Sequence, residues 1–294
     1  MTRIRSYLEL IRFPNLFSAM ADIVAGAWVA VGLSSSSPFS LELAALLLSS
    51  AALYAMGIVM NDYFDFELDC KERPERPLPS GRISRSSALS LGAALGLTGV
   101  GLAALVNDVS LIIAVMIVGC ALLYDRYTKH SIIAGPLTMG ICRGLNLLLG
   151  VSLVAEQVAP YWWLSGFGFL YIFSVTAMSQ GETGAGTHLS RVRLMAFTLC
   201  VCALGSASLF HLSSHAVSSL LAVVLFLAWT FSAVGPALRM PTAEWIRKAV
   251  ERCVIGLPLL DAAVATPFGG WAAFGSTMVL LLLGIFFARV FAVT

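Results

Sequence analysis

The amino-acid sequence predicts an all-α fold, a polytopic membrane bundle of 9–10 transmembrane helices. Three observations lead to this fold class. The chain of 294 residues is 59% apolar and only 12% charged, whereas roughly a quarter of the residues in soluble domains are charged. Its mean hydropathy is +0.88. Its apolar residues also form successive runs of about 20, the length that crosses a bilayer as a helix.

Ten apolar runs follow one another with no stretch left for a soluble domain. A count of nine stays open, because Pro258, Asp261 and Pro267 could bend the ninth run. We therefore expect one membrane domain over residues 1–294, with pseudo-repeat halves of about 1–130 and 131–294. The predicted spans are 13–33, 41–60, 86–106, 109–124, 132–154, 161–178, 192–211, 216–237, 248–266 and 271–291.

The basic residues of the predicted connections all fall on one side of this bundle. The opposite loops contain no Lys or Arg. The positive-inside rule makes the basic side cytoplasmic, with both termini there if the count is ten. No basic face or aromatic array suited to nucleic acid is present. The basic residues are Arg3, Arg5, Arg12, Lys71, Arg73, Arg76, Arg82, Arg85, Arg126, Lys129, Arg191, Arg193, Arg239, Arg247, Lys248 and Arg252.

Arg12, which precedes span 1, shares a helical face about 80° wide with two polar residues of that span, Asn15 and Asp22. Polar groups are costly against lipid, so we expect them to point into the bundle. There Asn15 either donates to a bound anion or clamps a neighbouring helix. For Asp22 the clamp is the favoured interpretation.

Span 2 ends in the most informative segment. Six of the sixteen acidic residues fall in positions 62–75. If the helix continues, Asp62, Asp65 and Asp69 lie on a face about 60° wide, with Asn61 at its edge. Carboxylates crowded at a membrane boundary repel one another, and hard oxygen donors of this kind suit Mg²⁺ that also binds a phosphate. The implied ligand is a diphosphate, and the alternative is a solvated acidic loop.

Spans 4 and 5 add cationic groups. Tyr124, Asp125 and Lys129 end span 4, and Lys129 either pairs with Asp125 or turns toward the diphosphate. Arg143 and Asn146 lie inside span 5. A buried arginine requires an anion, and we expect an incoming diphosphate or an aspartate of the span 2 motif, unless the side chain snorkels to the surface.

The end of span 6 is poor in acidic residues. Glu182 is the only carboxylate between Glu156 and Glu244. A second metal site is therefore either formed by Glu182 with Ser179 and Gln180 as neutral oxygen ligands, or absent.

The motif N-D-x-x-D-x-x-x-D at residues 61–69, followed by R-P-x-R-P at 73–77, resembles the first aspartate-rich motif of the UbiA superfamily of intramembrane prenyltransferases, the 4-hydroxybenzoate polyprenyltransferase type. Arg12 and Asn15 resemble the R-x-x-N pattern of the family's first span. The segment from Tyr124 to Lys129 is similar to the family's tyrosine-to-lysine connection. The pattern also resembles a bacterial branch called EboC-like.

This resemblance implies a UbiA-like bundle with a cytoplasm-facing cavity, in a plasma membrane of bacterial type with cytoplasmic termini. It implies Mg²⁺-dependent transfer of an isoprenyl group from an allylic isoprenyl diphosphate to a lipophilic or aromatic acceptor, among membrane lipids. The alternatives are a noncatalytic prenyl-lipid-binding protein and a small-molecule transporter. The implied catalytic residues are Asp62, Asp65, Asp69, Lys129 and Arg143. The implied metal ligands are Asp62, Asp65, Asp69 and Glu182. The implied substrate-binding residues are Arg12, Asn15, Asn61, Arg73, Arg76, Tyr124, Asp125, Asn146, Ser179, Gln180 and Glu182.

Overall fold

The fold was analysed in a computed structural model that describes residues 3–32, 37–180, 188–212 and 215–291. Thirteen α-helices, joined by short 3-10 and π-helical turns, make up the regular structure of this part of the chain. Their bounds are α1 Arg3–Leu10, α2 Leu16–Val31, α3 Leu41–Phe64, α4 Phe66–Glu72, α5 Arg85–Ala104, α6 Asp108–Leu123, α7 Ala134–Val151, α8 Val158–Tyr161, α9 Ser165–Ser179, α10 His188–Ser208, α11 Ala216–Arg239, α12 Ala243–Ile255 and α13 Leu257–Phe291. The predicted all-α fold is confirmed.

Polar side chains start several of these helices. Ser40 accepts a hydrogen bond from the backbone N–H of Leu43, and Ser84 accepts one from Ser87, at the first turns of α3 and α5. Asn107 caps α6 through the N–H of Ser110. Such caps satisfy N–H groups that lack a partner within the helix, so these residues fix where the spans begin.

Nine segments among the described residues are long and apolar enough to cross a membrane. Their outer surface carries large apolar side chains, such as Leu41, Leu97 and Leu204, that are 86%, 76% and 73% exposed. An exposed apolar surface of this extent suits contact with lipid rather than water. The segments are Phe13–Val31, Leu41–Phe64, Arg85–Ala104, Asp108–Thr128, Ala134–Val151, Ala155–Ser179, Leu189–Ser208, Ala216–Arg239 and Ala243–Phe291.

The last segment reverses direction at Gly270, where φ is 55°. Gly269 packs on Trp28, near the end of α2, while Phe287 and Phe291 pack on Phe13, just before the start of α2. The chain thus runs to the Trp28 end of the bundle and returns, so the 49-residue segment folds back on itself. The described part of the chain ends near Phe13, where span 1 begins.

Glycines bring α2 and α7 into backbone contact. A Cβ atom added at Gly26 would lie 2.3 Å from the carbonyl oxygen of Leu147, and one at Gly150 would lie 2.5 Å from that of Ile23. Small residues at such crossings let membrane helices approach closely. This contact sets the distance between the polar side chains that the two helices carry.

Candidate active site

The aspartate motif lies where α3 passes into α4. The shared carboxylate face was predicted on the condition that the helix continues through the motif. In the structure the helix is interrupted, because Asp65 separates α3 from α4 with φ −85° and ψ 3°. Backbone bonds still span the break: Asp65 N–H donates to Asn61, and Asp69 N–H donates to Asp65. The break is therefore a local kink, and Asp62 and Asp69 remain close enough to share one arginine.

Cationic side chains from two segments contact Asp62 and Asp69. Arg76 Nη1 lies 2.8 Å from Asp69 Oδ2 and 3.4 Å from Asp62 Oδ1. Arg12 Nη2 lies 3.1 Å from Asp62 Oδ1. Arg73 contributes a longer contact of 3.8 Å to Asp69. The charges of the motif are thus neutralised by the R-P-x-R-P loop and by the residue that precedes span 1.

Arg12 itself has a left-handed backbone, with φ 47°. Such a φ is uncommon for a residue other than glycine, and it tends to persist only where the surrounding structure holds it. Here it forms the bend between α1 and α2, and Pro14 follows in the 3-10 turn Phe13–Asn15. The bend aims the Arg12 guanidinium at Asp62.

Lys129 pairs with Asp65 and not with Asp125, the alternative at i,i+4. Lys129 and Asp65 are 64 residues apart in sequence. A π-helical turn, Tyr124–Thr128, precedes Lys129 and carries both Tyr124 and Asp125. Asp125 is buried and accepts a hydrogen bond of 3.0 Å from Asn61 Nδ2. The end of span 4 is therefore joined to the aspartate motif by two polar contacts.

A second polar cluster lies inside the bundle. Arg143 Nε is 2.8 Å from Asp22 Oδ2, and its Nη2 is 3.6 Å from Asp261 Oδ2. Arg143 Nη2 also donates to the backbone carbonyl of Ser18 at 2.7 Å. The sequence predicted that Arg143 contacts a diphosphate or an aspartate of the first motif. In the structure its carboxylate partners are Asp22 and Asp261. The close approach of α2 and α7 places Asp22 next to Arg143.

Asn146 belongs to the same internal cluster. Its Nδ2 donates to Asp22 Oδ2 at 2.8 Å, and its Oδ1 accepts from Ser50 Oγ at 2.8 Å. Asp22, Arg143 and Asn146 are each at most 8% exposed. The clamp interpretation of Asp22 agrees with this geometry, while Ser50 gave no signal in the sequence, because a serine in a span is ordinary.

The remaining predicted residues lie elsewhere or outside the described chain. Asn15 lines a groove beside the start of α13. Ser179 Oγ donates to Thr176 of its own helix at 2.9 Å. Gln180 Nε2 donates to the carbonyl of Ser131 at 3.1 Å, close behind Lys129. Glu182 lies in residues 181–187, outside the described part.

Comparisons with known proteins agree with this architecture. The fold and the site together define a class of protein: a polytopic helical membrane bundle with a carboxylate–cation cluster at the end of span 2. The sequence model of the UbiA prenyltransferase family matches residues 23–238, and the chain belongs to that family. The digeranylgeranylglyceryl phosphate synthase of Methanopyrus kandleri is 34% identical over 168 residues, 56% of this chain and 59% of that protein. The chain spans 59% and 52% of the length of the first two curated relatives it matches.

Solved structures share the fold. A structure of a digeranylgeranylglyceryl phosphate synthase superposes with a TM-score of 0.68 at 23% identity, covering 94% of this chain and all of that one. A UbiA homologue from Archaeoglobus fulgidus, bound to GPP and Mg²⁺, superposes with a TM-score of 0.55 at 15% identity, covering 92% of this chain and 99% of that one. The chain is an integral membrane protein of this fold.

Proposed function

We propose that this protein transfers an isoprenyl group from an allylic isoprenyl diphosphate to a lipophilic or aromatic acceptor, with Mg²⁺ as cofactor. The observation that carries the proposal is the cluster of Asp62, Asp65 and Asp69 at the end of span 2, each in contact with a cationic side chain. Carboxylates that hold a metal next to cations that hold a diphosphate are the two halves of such a site. Membership of the family supports the same function.

The donor set fits Mg²⁺. Aspartate oxygens are the hard ligands this ion prefers, and it commonly completes its shell with water and substrate phosphate. Asp125 adds a buried carboxylate oxygen, Oδ2, without a hydrogen-bond partner in the described chain. Asp62, Asp65 and Asp69 would hold the ion, with Glu182 as a further ligand. When bound, Mg²⁺ neutralises charge on the departing diphosphate.

The cationic side chains bind and neutralise the diphosphate. Arg12, Arg76 and Lys129 contact carboxylates in the structure, and each can exchange that contact for a phosphate oxygen when substrate enters. The allylic C–O bond breaks with its electron pair on the diphosphate. The acceptor then bonds to the allylic carbon and loses a proton. Charge neutralisation by fixed cations lowers the barrier to this cleavage because the negative charge develops there.

The surrounding spans exclude water from the reacting carbon, so that the acceptor reacts before water does. For Arg143 we propose a different task from the predicted catalytic one. It contacts Asp22, Asp261 and Ser18, and we assign it to positioning α2 against α7 and α13 rather than to contact with substrate.

We place the site on the cytoplasmic side of the plasma membrane, because the basic residues of the connections lie on the side of the aspartate motif. For the acceptor, the names of the relatives are the best guide. A digeranylgeranylglyceryl phosphate synthase makes a glyceryl phosphate with two prenyl groups. A monoprenylated glyceryl phosphate is therefore the first acceptor to test, before aromatic acceptors.

The test is prenyl transfer by purified protein reconstituted in lipid. Labelled farnesyl, geranylgeranyl and longer diphosphates are supplied with each acceptor, with Mg²⁺ or with EDTA. Asp65→Ala is compared with Asp108→Ala, which removes an exposed carboxylate from the first turn of α6, at the end of that helix away from Asp125.

We expect Mg²⁺-dependent product from the wild type and from Asp108→Ala, and a loss of at least about a hundredfold in Asp65→Ala. Intact binding of the diphosphate without product from any acceptor would favour the noncatalytic lipid-binding alternative. Movement of unmodified lipid across the membrane would favour the transporter.

A further inference from the structure

Asp125 differs from the three aspartates of the motif. It is 4% exposed. Asp62, Asp65 and Asp69 each contact an arginine or lysine, whereas among the described residues Asp125 has no such partner. Its Oδ1 accepts a hydrogen bond from Asn61, and its Oδ2 is buried without any hydrogen-bond partner in that part of the chain. A buried carboxylate in this condition is costly unless a cation or a proton neutralises it.

The local backbone aims Asp125 into the site. The π-helical turn Tyr124–Thr128 ends α6, closed by a bond from the Lys129 N–H to the Tyr124 carbonyl. The turn leaves Arg126 and Tyr127 exposed while it buries Asp125 against Asn61. Single π-turns of this kind occur frequently at functional sites. Asn61 directly precedes Asp62, so the bond from Asn61 draws Asp125 to the motif.

We propose that Asp125 is a ligand for the divalent cation, contributed by the end of span 4 to the carboxylates at the end of span 2. This inference rests on the proposed function of the same site. The hydrogen bond from Asn61 occupies Oδ1 and leaves Oδ2 as the ligand atom. The charge of Asp125 interacts with the carboxylates of Asp62 and Asp65 and with the ammonium group of Lys129, so departure of Lys129 leaves negative charge that attracts a cation.

The state of Asp65 determines when this ligand can act. Within the described ranges no three carboxylate, thiol or imidazole groups are placed to hold a metal ion together, and Lys129 occupies Asp65. When Lys129 moves to a diphosphate, Asp65 becomes available beside Asp125. Cation binding is therefore coupled to diphosphate binding: the cation binds weakly alone and tightly when a diphosphate is present.

The experiment measures Mn²⁺ binding to the purified full-length protein by electron paramagnetic resonance, with and without inorganic pyrophosphate. Asp125→Asn removes the charge and keeps an oxygen that accepts from Asn61. Asp125→Ser removes the carboxylate with a small side chain and is measured in parallel. Asp108→Asn, at the first turn of the same helix, is the matched control. Thermal stability in EDTA is recorded for each variant.

We expect pyrophosphate to tighten Mn²⁺ binding by the wild type and by Asp108→Asn. In the presence of pyrophosphate, both Asp125 variants should bind Mn²⁺ at least about tenfold more weakly. Their stability in EDTA should equal or exceed that of the wild type, because a buried charge has been removed.

Unchanged Mn²⁺ affinity in the Asp125 variants would overturn the inference and leave the proposed function intact. Lower stability in EDTA with unchanged affinity would overturn it in favour of a structural role. Failure of the wild type to bind Mn²⁺ with pyrophosphate would overturn both the inference and the proposed function.

Discussion

Arg143 connects three helices through one side chain. It contacts Asp22 of α2, Asp261 of α13 and the Ser18 carbonyl, and it is 7% exposed. One guanidinium thus serves two buried carboxylates. Breaking a buried pair costs more than the pair contributes, because the group that is left behind stays charged in a medium of low polarity.

Arg143→Gln should therefore destabilise the protein strongly. It leaves Asp22 and Asp261 buried without their cation, at a cost of about 3–5 kcal/mol in the free energy of unfolding. Unfolding in mixed detergent micelles measures this cost. Adding Asp22→Asn and Asp261→Asn should restore part of the loss. Lys248→Gln removes an exposed lysine paired with Glu244 and should leave stability unchanged; an equal loss in both variants would contradict the clamp.

At this scale the sequence predicted which residues are polar and inside, but not all of their partners. Three spaced carboxylates followed by R-P-x-R-P predict a site for Mg²⁺ and a diphosphate directly, since all lie within 16 residues of chain, 62–77. The partner of Arg143 could not be deduced, because Asp22 and Asp261 are far away in sequence and pairing depends on which helix faces meet. The role of Asp22 as a clamp between helices could be predicted from the sequence, since a carboxylate in a span requires a partner.

The contact between α2 and α7 is the element that holds the internal cluster together. Gly26 and Gly150 each face backbone atoms of the other helix. A side chain there has no flexible neighbour to displace, so the helices themselves would have to separate. The distance from Asp22 to Arg143 and Asn146 would then increase.

Gly150→Ala should therefore cost about 1–3 kcal/mol, the usual range for overpacking. Its Cβ would lie 2.5 Å from the Ile23 carbonyl oxygen and 2.8 Å from Ile23 Cα. Gly119→Ala is the matched control, since nothing lies within 4 Å of a Cβ at that exposed position of α6. The control should be neutral or stabilising by up to about 1 kcal/mol, because alanine favours helix. Equal unfolding midpoints for the two variants would argue against close packing here.

The sequence predicted which helices exist better than it predicted where each helix begins and ends. The predicted carboxylate face required the span 2 helix to continue through the motif, but Asp65 interrupts that helix. The sequence also left open whether the last apolar segment folds back on itself, and therefore whether the chain has nine or ten spans. A glycine in a hydrophobic run does not show whether its φ is positive, and here it is the packing of Gly269 on Trp28 that accompanies the reversal.

On the scale of the whole molecule, the side of the bundle that carries the basic connections is also the side that carries the site. The carboxylate–cation cluster lies on the side of the bundle that carries the basic connections. A diphosphate carries several negative charges and does not cross hydrocarbon at an appreciable rate. A site that consumes it must open to the compartment in which it is made. In our proposal that compartment is the cytoplasm, the side to which the positive-inside rule assigns basic connections.

Cysteine labelling in intact cells tests this orientation. Cys70 is exposed on α4, on the side of the site. Ser37 is exposed in the connection between spans 1 and 2, on the opposite side. We expect a membrane-impermeant maleimide to label a Ser37→Cys, Cys70→Ser variant in intact cells, and to label Cys70 of the wild type only after permeabilisation. The reverse pattern would place the cluster outside, where no charged diphosphate made in the cytoplasm could reach it, and would contradict the orientation and the donor together.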